Sequence, residues 1–354
     1  MTSLNLPVCA TSQLPSGVSY SDAGRSLDAK PRRATMTDAP PDEVREDLQR
    51  LRTALDQAIP ARELDRNLLL GTWNIRAFGG LTEKWKAEDD DSPKRDLHAL
   101  YCVAEIVSRF DVVAIQEVKA DLKALRHMLK VLGPDWGLIL TDVTLGARGN
   151  DERLAFVFDT RRVKPSGLAG ELVVPDEWKL EQGVLDRQFA RTPYAVSFIS
   201  AGRTFILVTL HVLFGDKPED RLAELRTIAK WLGEWAGEIS AWGHNLICLG
   251  DFNIDRRDDP SYRAFVSTGL RPPQELNEVP RSIFSGSAGK FYDQVAWFTG
   301  ELGSPKLSLR YTGRAGGFNF TGVVLQTLTT LELSWRLSDH MPLWVEFDTK
   351  PAPL

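Results

Sequence analysis

The stretch LICLGDFNID, Leu246 to Asp255, runs as a buried strand and then sets Asp251, Asn253 and Asp255 at its exit. Leu246, Ile247, Cys248 and Leu249 form a short apolar run, as expected of a strand covered on both faces. A strand that only had to end could do so on Gly250 or Asn253 alone, since either residue tolerates a tight turn. The carboxylates need a further reason, because a carboxylate held away from water is costly without a partner.

Working outward, the same pattern recurs. TWNIRAFG (72–79) places Asn74 at the end of an apolar strand, and DVVAIQEVKAD (111–121) places Gln116, Glu117 and Lys119 at the end of another. Glu152 and Arg153 open the strand NDERLAFVFD, and Arg191 precedes the strand in FARTPYAVSF. His211 is embedded in LVTLHVLFGD, Asp293 heads the strand in FYDQVAWF, and Asp339 and His340 come just before PLWVEF. Taken singly, each has an ordinary explanation: a turn residue, or a histidine hydrogen-bonded in the core. Taken together, several polar groups at strand ends are satisfied most economically by facing one another across a cleft, around a cation.

The strands alternate with helical stretches at 95–110, 121–132, 221–240 and 261–269, whose apolar faces can cover the sheets. The expectation is an α+β fold, a four-layer α/β/β/α sandwich of two packed, mostly antiparallel β-sheets flanked by helices. Residues 1–41, rich in Ser, Thr, Pro, Ala and Asp without periodicity, read as a disordered extension, with Met36 an alternative start. Residues 42–66 read as an N-terminal helix, with Val44, Leu48, Leu51, Leu55 and Ile59 at helical spacing and Pro60 closing it. Packing on the main domain is the expected use of that stripe, and a dimer contact is the alternative. Residues 67–350 are expected to form the main domain, which carries all the candidate site residues. The charged segment 79–96, including the acidic run 88–91, reads as a long exposed loop.

With 43% hydrophobic residues and 10 tryptophans, the 354-residue chain can bury a large core. Its net charge of -5 excludes a uniformly basic nucleic-acid coat but leaves room for a local basic groove and a charge-compensating cation. Cys9, Cys102 and Cys248 form neither a disulfide framework nor a zinc motif. No apolar run approaches the ~20 residues of a bilayer span, and the N-terminus is a poor secretory signal, so a cytoplasmic location is expected. Carboxylate and amide oxygens suit Mg²⁺, with Mn²⁺ or Ca²⁺ as alternatives. Two histidines with acidic companions suit proton transfer. Neither a Gly-x-Ser-x-Gly elbow nor a Walker A loop is present. Metal-assisted cleavage of a phosphate ester remains.

GDFNID and SDHMPLWVEF, with the blocks WNIRAFG, IQEVKAD, ERLAFVF, FARTPYAV and LHVLFGDKPEDRLAEL in order across residues 68–348, resemble the endonuclease/exonuclease/phosphatase superfamily and, within it, the deoxyribonuclease I branch. The resemblance implies Glu117 as principal metal carboxylate, with Asn74 beside it on metal or phosphate. It implies two acid/base units, His211 with Glu152 and His340 with Asp293, without saying which is acid and which base. Asp251 and Asn253 would orient the scissile phosphate and the attacking water, with Asp251 also a ligand for a second cation; Asp339 resembles another metal ligand. Arg191 would hold a phosphate oxygen. Lys119 stands where a basic residue of that branch reaches the DNA groove, a solvated lysine being the ordinary alternative.

The implied activity is a Mg²⁺-dependent DNA endonuclease of weak sequence preference, leaving 5′-phosphate and 3′-hydroxyl ends. The alternative is a phosphodiesterase or phosphatase on a small or lipid ester, sphingomyelinase-like or acting on inositol phosphates, because substrate choice sits in the loops. The chain departs from secreted relatives in lacking their signal peptide and disulfide and in carrying the N-terminal extension and the acidic loop.

Overall fold

The computed structural model describes residues 39–144, 150–180, 188–215, 218–238, 245–284, 290–300 and 303–350. Most of the expected disordered extension, with Met36 and Cys9, lies outside them. Helix α1 (Asp42–Ala58) comes first, ending before Pro60 and so well short of residue 66. Val44, Leu48, Leu51 and Leu55 are buried in one cluster with the next helices, α2 (Leu97–Val107) and α3 (Lys123–Leu132). Its apolar stripe is therefore used within the chain. Asp47, buried on the same helix, accepts from the Leu325 amide at 2.8 Å and lies 3.1 Å from His98 Nε2.

The first sheet contains β1 (Asn67–Phe78), β2 (Val112–Lys119), β3 (Trp136–Leu140), β4 (Glu152–Asp159), β11 (Arg310–Gly317) and β12 (Leu343–Asp348), in the order β11-β12-β1-β2-β4-β3. The second contains β5 (Lys164–Glu171), β6 (Tyr194–Ser200), β7 (Arg203–His211), β8 (Asn245–Ile254), β9 (Leu270–Arg271) and β10 (Phe291–Phe298), in the order β5-β6-β7-β8-β10-β9. The pairs β1/β2 and β7/β8 are parallel and the rest antiparallel.

Side-chain alternation builds the layers. Leu68 and Leu70 of β1 meet Ile247 and Leu249 of β8 between the sheets, while Leu69 and Trp73 turn outward to the α1–α3 cluster. Leu246 and Cys248 turn outward on the other side, against α4 (Pro218–Glu238) and α5 (Pro260–Phe265). The expected α/β/β/α sandwich is the observed one. Cys102 and Cys248 are buried free thiols that serve packing.

The strands missing from the sequence reading are short or at edges. β5, KPSGLAGE, is mostly exposed, and β11, RYTGRAGG, carries glycines and arginines, so neither shows an apolar period. The short helix α6 (Thr330–Arg336), closed by a capping box between Thr329 and Glu332, was also unforeseen. Segment 79–96 differs from the exposed loop expected. Its acidic tip, Glu88 to Asp90, is exposed, but Arg95 is buried and donates to the carbonyls of Ala77 (3.0 Å), Arg76 (2.6 Å), Arg336 (3.0 Å) and Leu337 (3.1 Å). A guanidinium can supply several such donors at once, so the loop's base is fastened rather than free. Among the described residues, no helix is long and apolar enough to cross a membrane.

Candidate active site

Register does much of the assembly. In the second sheet, His211 pairs with Asp251 across the parallel β7/β8 ladder, and Asp251 pairs with Asp293 across the antiparallel β8/β10 ladder. Three functional side chains thus stand in one row on adjacent strands. Gly250 makes this approach available: its φ of 141° is unfavourable for other residues, and a Cβ there would collide with the Leu210 backbone. Beyond it, Asn253 has φ 51°, in the left-handed region, and donates Nδ2 to Val212 O at 2.6 Å while its amide donates to Asp251 Oδ1 at 2.9 Å.

The first sheet supplies the other half. The β1/β2 register shifts between Asn74 and Phe78, and the β2/β4 register between Ile115 and Val118. Such irregularities re-aim side chains at strand ends. Glu117 adopts φ 60°, and its Oε2 accepts from the Ala77 amide at 2.8 Å. Asn74 Nδ2 then donates to Glu117 Oε1 at 3.1 Å and to Asp251 Oδ2 at 3.0 Å, tying the two sheets together. Ser338 Oγ donates to Asn74 O at 2.6 Å, which fastens the loop carrying Asp339 and His340 to the same strand.

Two imidazoles flank Asp251. His211 Nδ1 lies 3.1 Å from Glu152 Oε2 and its Nε2 lies 3.6 Å from Asp251 Oδ2. His340 Nδ1 lies 2.7 Å from Asp293 Oδ2 and its Nε2 lies 3.9 Å from that same Asp251 oxygen. Each ring therefore has a carboxylate behind it and its other nitrogen toward the shared centre. Burial disfavours the charged His340 ring, yet the carboxylates of Asp293, Asp251 and Asp339 raise its pKa well above the usual imidazole range. Burial pushes Asp293 up to about 6, against the opposing pull of His340. Burial also acts to raise Glu152, but His211, Arg191 and Lys119 outweigh it and hold the carboxyl at about 2.

Arg191 is buried, with Nε 2.6 Å from Glu152 Oε2 and Nη1 without a hydrogen-bond partner. Lys119 Nζ lies 2.9 Å from Glu152 Oε1 and donates to Asn150 O at 3.0 Å, so it is engaged within the site rather than solvated. Asp339 is the outlier among the expected residues: its carboxylate is partly exposed, 3.7 Å from Arg76 Nη1. All the other sequence-derived site residues, Asn74, Glu117, Lys119, Glu152, Arg191, His211, Asp251, Asn253, Asp293 and His340, join one connected set of contacts.

A divalent cation fits this donor set. Asn74 Oδ1 is buried without a hydrogen-bond partner, beside the Glu117 carboxylate, and an orphaned oxygen next to a carboxylate suits a hard cation. Ligand atoms of Glu117, Glu152 and His211 lie within 4.8 Å of one another, as do those of Asp251, Asp293 and His340.

Several supporting residues escaped the sequence reading. Arg221 on α4 donates to Asn253 O and lies 3.0 Å from Asp255. Arg281 is buried, with Nε donating to Asp293 O at 3.2 Å. Glu224, buried on α4, accepts from the Leu213 amide at 3.2 Å just past His211. Each acts through partners that lie elsewhere in the chain, and only the position of Arg221 and Glu224 within the LHVLFGDKPEDRLAEL block could have pointed to them.

No protein-family model matches the chain. It is 29% identical over 294 residues to a deoxyribonuclease of Thioalkalivibrio sp., covering 80% of this chain and 71% of that one. It is 25% identical over 298 residues to deoxyribonuclease-1 of Bos taurus, covering 80% and 93%. Among solved structures, an endonuclease/exonuclease/phosphatase family protein from Bacteroides thetaiotaomicron matches with a TM-score of 0.53 at 20% identity, covering 80% of this chain and 98% of the other.

Proposed function

Taking as premise that the chain is a phosphate-ester hydrolase of the endonuclease/exonuclease/phosphatase superfamily, we propose that it is a Mg²⁺-dependent DNA endonuclease of weak sequence preference, producing 5′-phosphate and 3′-hydroxyl ends. The observation that carries this reading is the convergence of two carboxylate-backed imidazoles, His211 and His340, on the single Asp251 oxygen. Two proton-transfer groups facing one point suit in-line displacement at phosphorus, where water must lose a proton and the leaving oxygen must gain one. Similarity to proteins named deoxyribonucleases supports DNA as the substrate.

Each residue then has a task. One of the two imidazoles accepts the proton of the attacking water at Nε2, and the other donates from Nε2 to the departing 3′-oxygen. Glu152 and Asp293 hold the ring orientations through Nδ1. Asp251 and Asn253 orient the water and the phosphate, and Arg191 offers its unpartnered Nη1 to a phosphate oxygen. Asn74 and Glu117, with Asp339, would hold the cation, and Asp251 would serve a second one. When bound, the cation supplies charge compensation at the phosphoryl oxygens. Lys119 adds to the effect of His211 and Arg191 in keeping Glu152 ionised and contributes positive charge beside the site.

The experiment is incubation of purified protein with supercoiled plasmid and Mg²⁺, with and without EDTA. Nicking that requires the metal and leaves ends directly sealed by DNA ligase is expected. Intact plasmid beside brisk release of phosphate or phosphocholine from small esters would replace this reading with the small-ester or lipid alternative.

A further inference from the structure

Two large aromatic rings stand exposed beside the site, and the catalytic mechanism uses neither. Trp335, on α6, is 46% exposed and precedes Asp339 by one helical turn of chain. Phe214 is 55% exposed and follows His211 in the segment leaving β7. Single exposed apolar residues are ordinary. These two share a more specific arrangement. The Arg76 guanidinium carbon lies 3.8 Å from the Trp335 ring centroid, and that of Arg221 lies 4.5 Å from the Phe214 ring centroid.

Each arginine also ties its ring to the site. Arg76 Nη1 donates to Ser334 at 2.7 Å and lies 3.7 Å from Asp339; Arg221 Nε donates to Phe214 O at 2.7 Å and Nη1 to Asn253 O. One pair belongs to the first sheet's side of the cleft and the other to the second sheet's side. Exposed Leu331, one turn before Trp335, widens the apolar surface there.

We propose that Trp335 and Phe214 are stacking platforms for unpaired nucleobases on either side of the scissile phosphate, so that the favoured substrate is single-stranded or locally unpaired polynucleotide. This rests on the nuclease reading above and adds the strand state. An aromatic ring backed by a guanidinium combines a flat apolar surface with positive charge, which suits a base attached to a phosphodiester. In an intact duplex the base faces are already stacked on one another and cannot be offered to a protein ring. Such a platform accepts any base, in keeping with weak sequence preference.

The test compares a labelled single-stranded oligonucleotide with the duplex of the same sequence, by fluorescence anisotropy on His340→Ala protein and by cleavage with the otherwise unaltered enzyme. Tighter binding and faster cleavage of the single strand are expected. Trp335→Ala and Phe214→Ala should each weaken single-strand binding about tenfold, a loss that Trp335→Phe largely restores. A single-stranded oligonucleotide of the same length built from abasic units, which carries no aromatic ring, should lose far less in the same variants. Equal handling of both strand states, or alanine variants that bind the single strand as the parent does, overturns the platforms while plasmid nicking keeps the nuclease reading. Failure to cut either polymer beside turnover of small esters overturns both.

Discussion

Asn74 Nδ2 and Asp251 Oδ2 meet at 3.0 Å although 177 residues separate them, and this contact joins β1 in one sheet to β8 in the other. The Asn74 amide thereby has its nitrogen committed to two carboxylates, Glu117 and Asp251, which leaves its oxygen unpartnered and turned to the same neighbourhood. The sandwich is arranged so that the interface between its sheets terminates in the site.

The two imidazoles are expected to be indispensable to turnover and dispensable to folding. His211→Ala and His340→Ala should each lower plasmid nicking by about 10²- to 10⁴-fold, with circular dichroism and melting close to the parent. Nicking at parental rates in either variant would remove that ring from the chemistry.

Glu117 should matter through the cation. Glu117→Gln keeps an oxygen for the Ala77 amide but loses the charge, so activity should fall steeply and the Mg²⁺ concentration for half-maximal rate should rise. Titration of rate against Mg²⁺ reads this out, and an unchanged metal dependence would exclude Glu117 as a ligand.

Glu224 predicts a pH dependence of stability. Burial raises its carboxyl to about 7, against the opposing influence of the Leu213 amide, Arg191 and His211. Because the folded value lies above the ordinary carboxylate value, the fold favours the protonated form. That contribution is fully present below about pH 4.5 and is lost as pH rises toward and through 7, on the order of 3 kcal/mol in all. Glu224→Gln keeps an acceptor for Leu213 and does not ionise. Its advantage over the parent in denaturant unfolding should therefore grow between pH 5 and about pH 8. A constant difference across that window would refute the assignment.

Gly250 should tolerate no side chain. In Gly250→Ala, the added Cβ meets the Leu210 backbone in a region of φ that L-residues avoid, at a cost on the order of 3 kcal/mol. Asp251 follows directly, so nicking should fall together with the melting temperature. A variant that melts like the parent would mean the β7/β8 approach is looser than described.

What could be read from the sequence shares a common physical basis. LICLGDFNID showed both its strand and its polar exit because apolar periodicity and turn chemistry are local properties of the chain. The helices over 95–110 and 121–132 were legible for the same reason. β5 and β11 were not, because an edge strand needs no apolar face and draws its identity from the neighbour it pairs with. Arg95 shows the limit most plainly. Within a run of charges it looks like a solvated side chain, and only the carbonyls of residues 76, 77, 336 and 337 make it a buried clamp.

The amino-acid order by itself determined the strands and helices of the core and which polar groups fall next to their apolar runs, since both follow from neighbours within a few positions. Tertiary structure alone decided that His211, Asp251 and Asp293 stand in one row, that Asn74 spans the two sheets, and that Asp339 turns to Arg76. Those outcomes depend on strand register and on partners supplied from distant segments. A buried charge takes its protonation and orientation from whatever the rest of the fold packs against it.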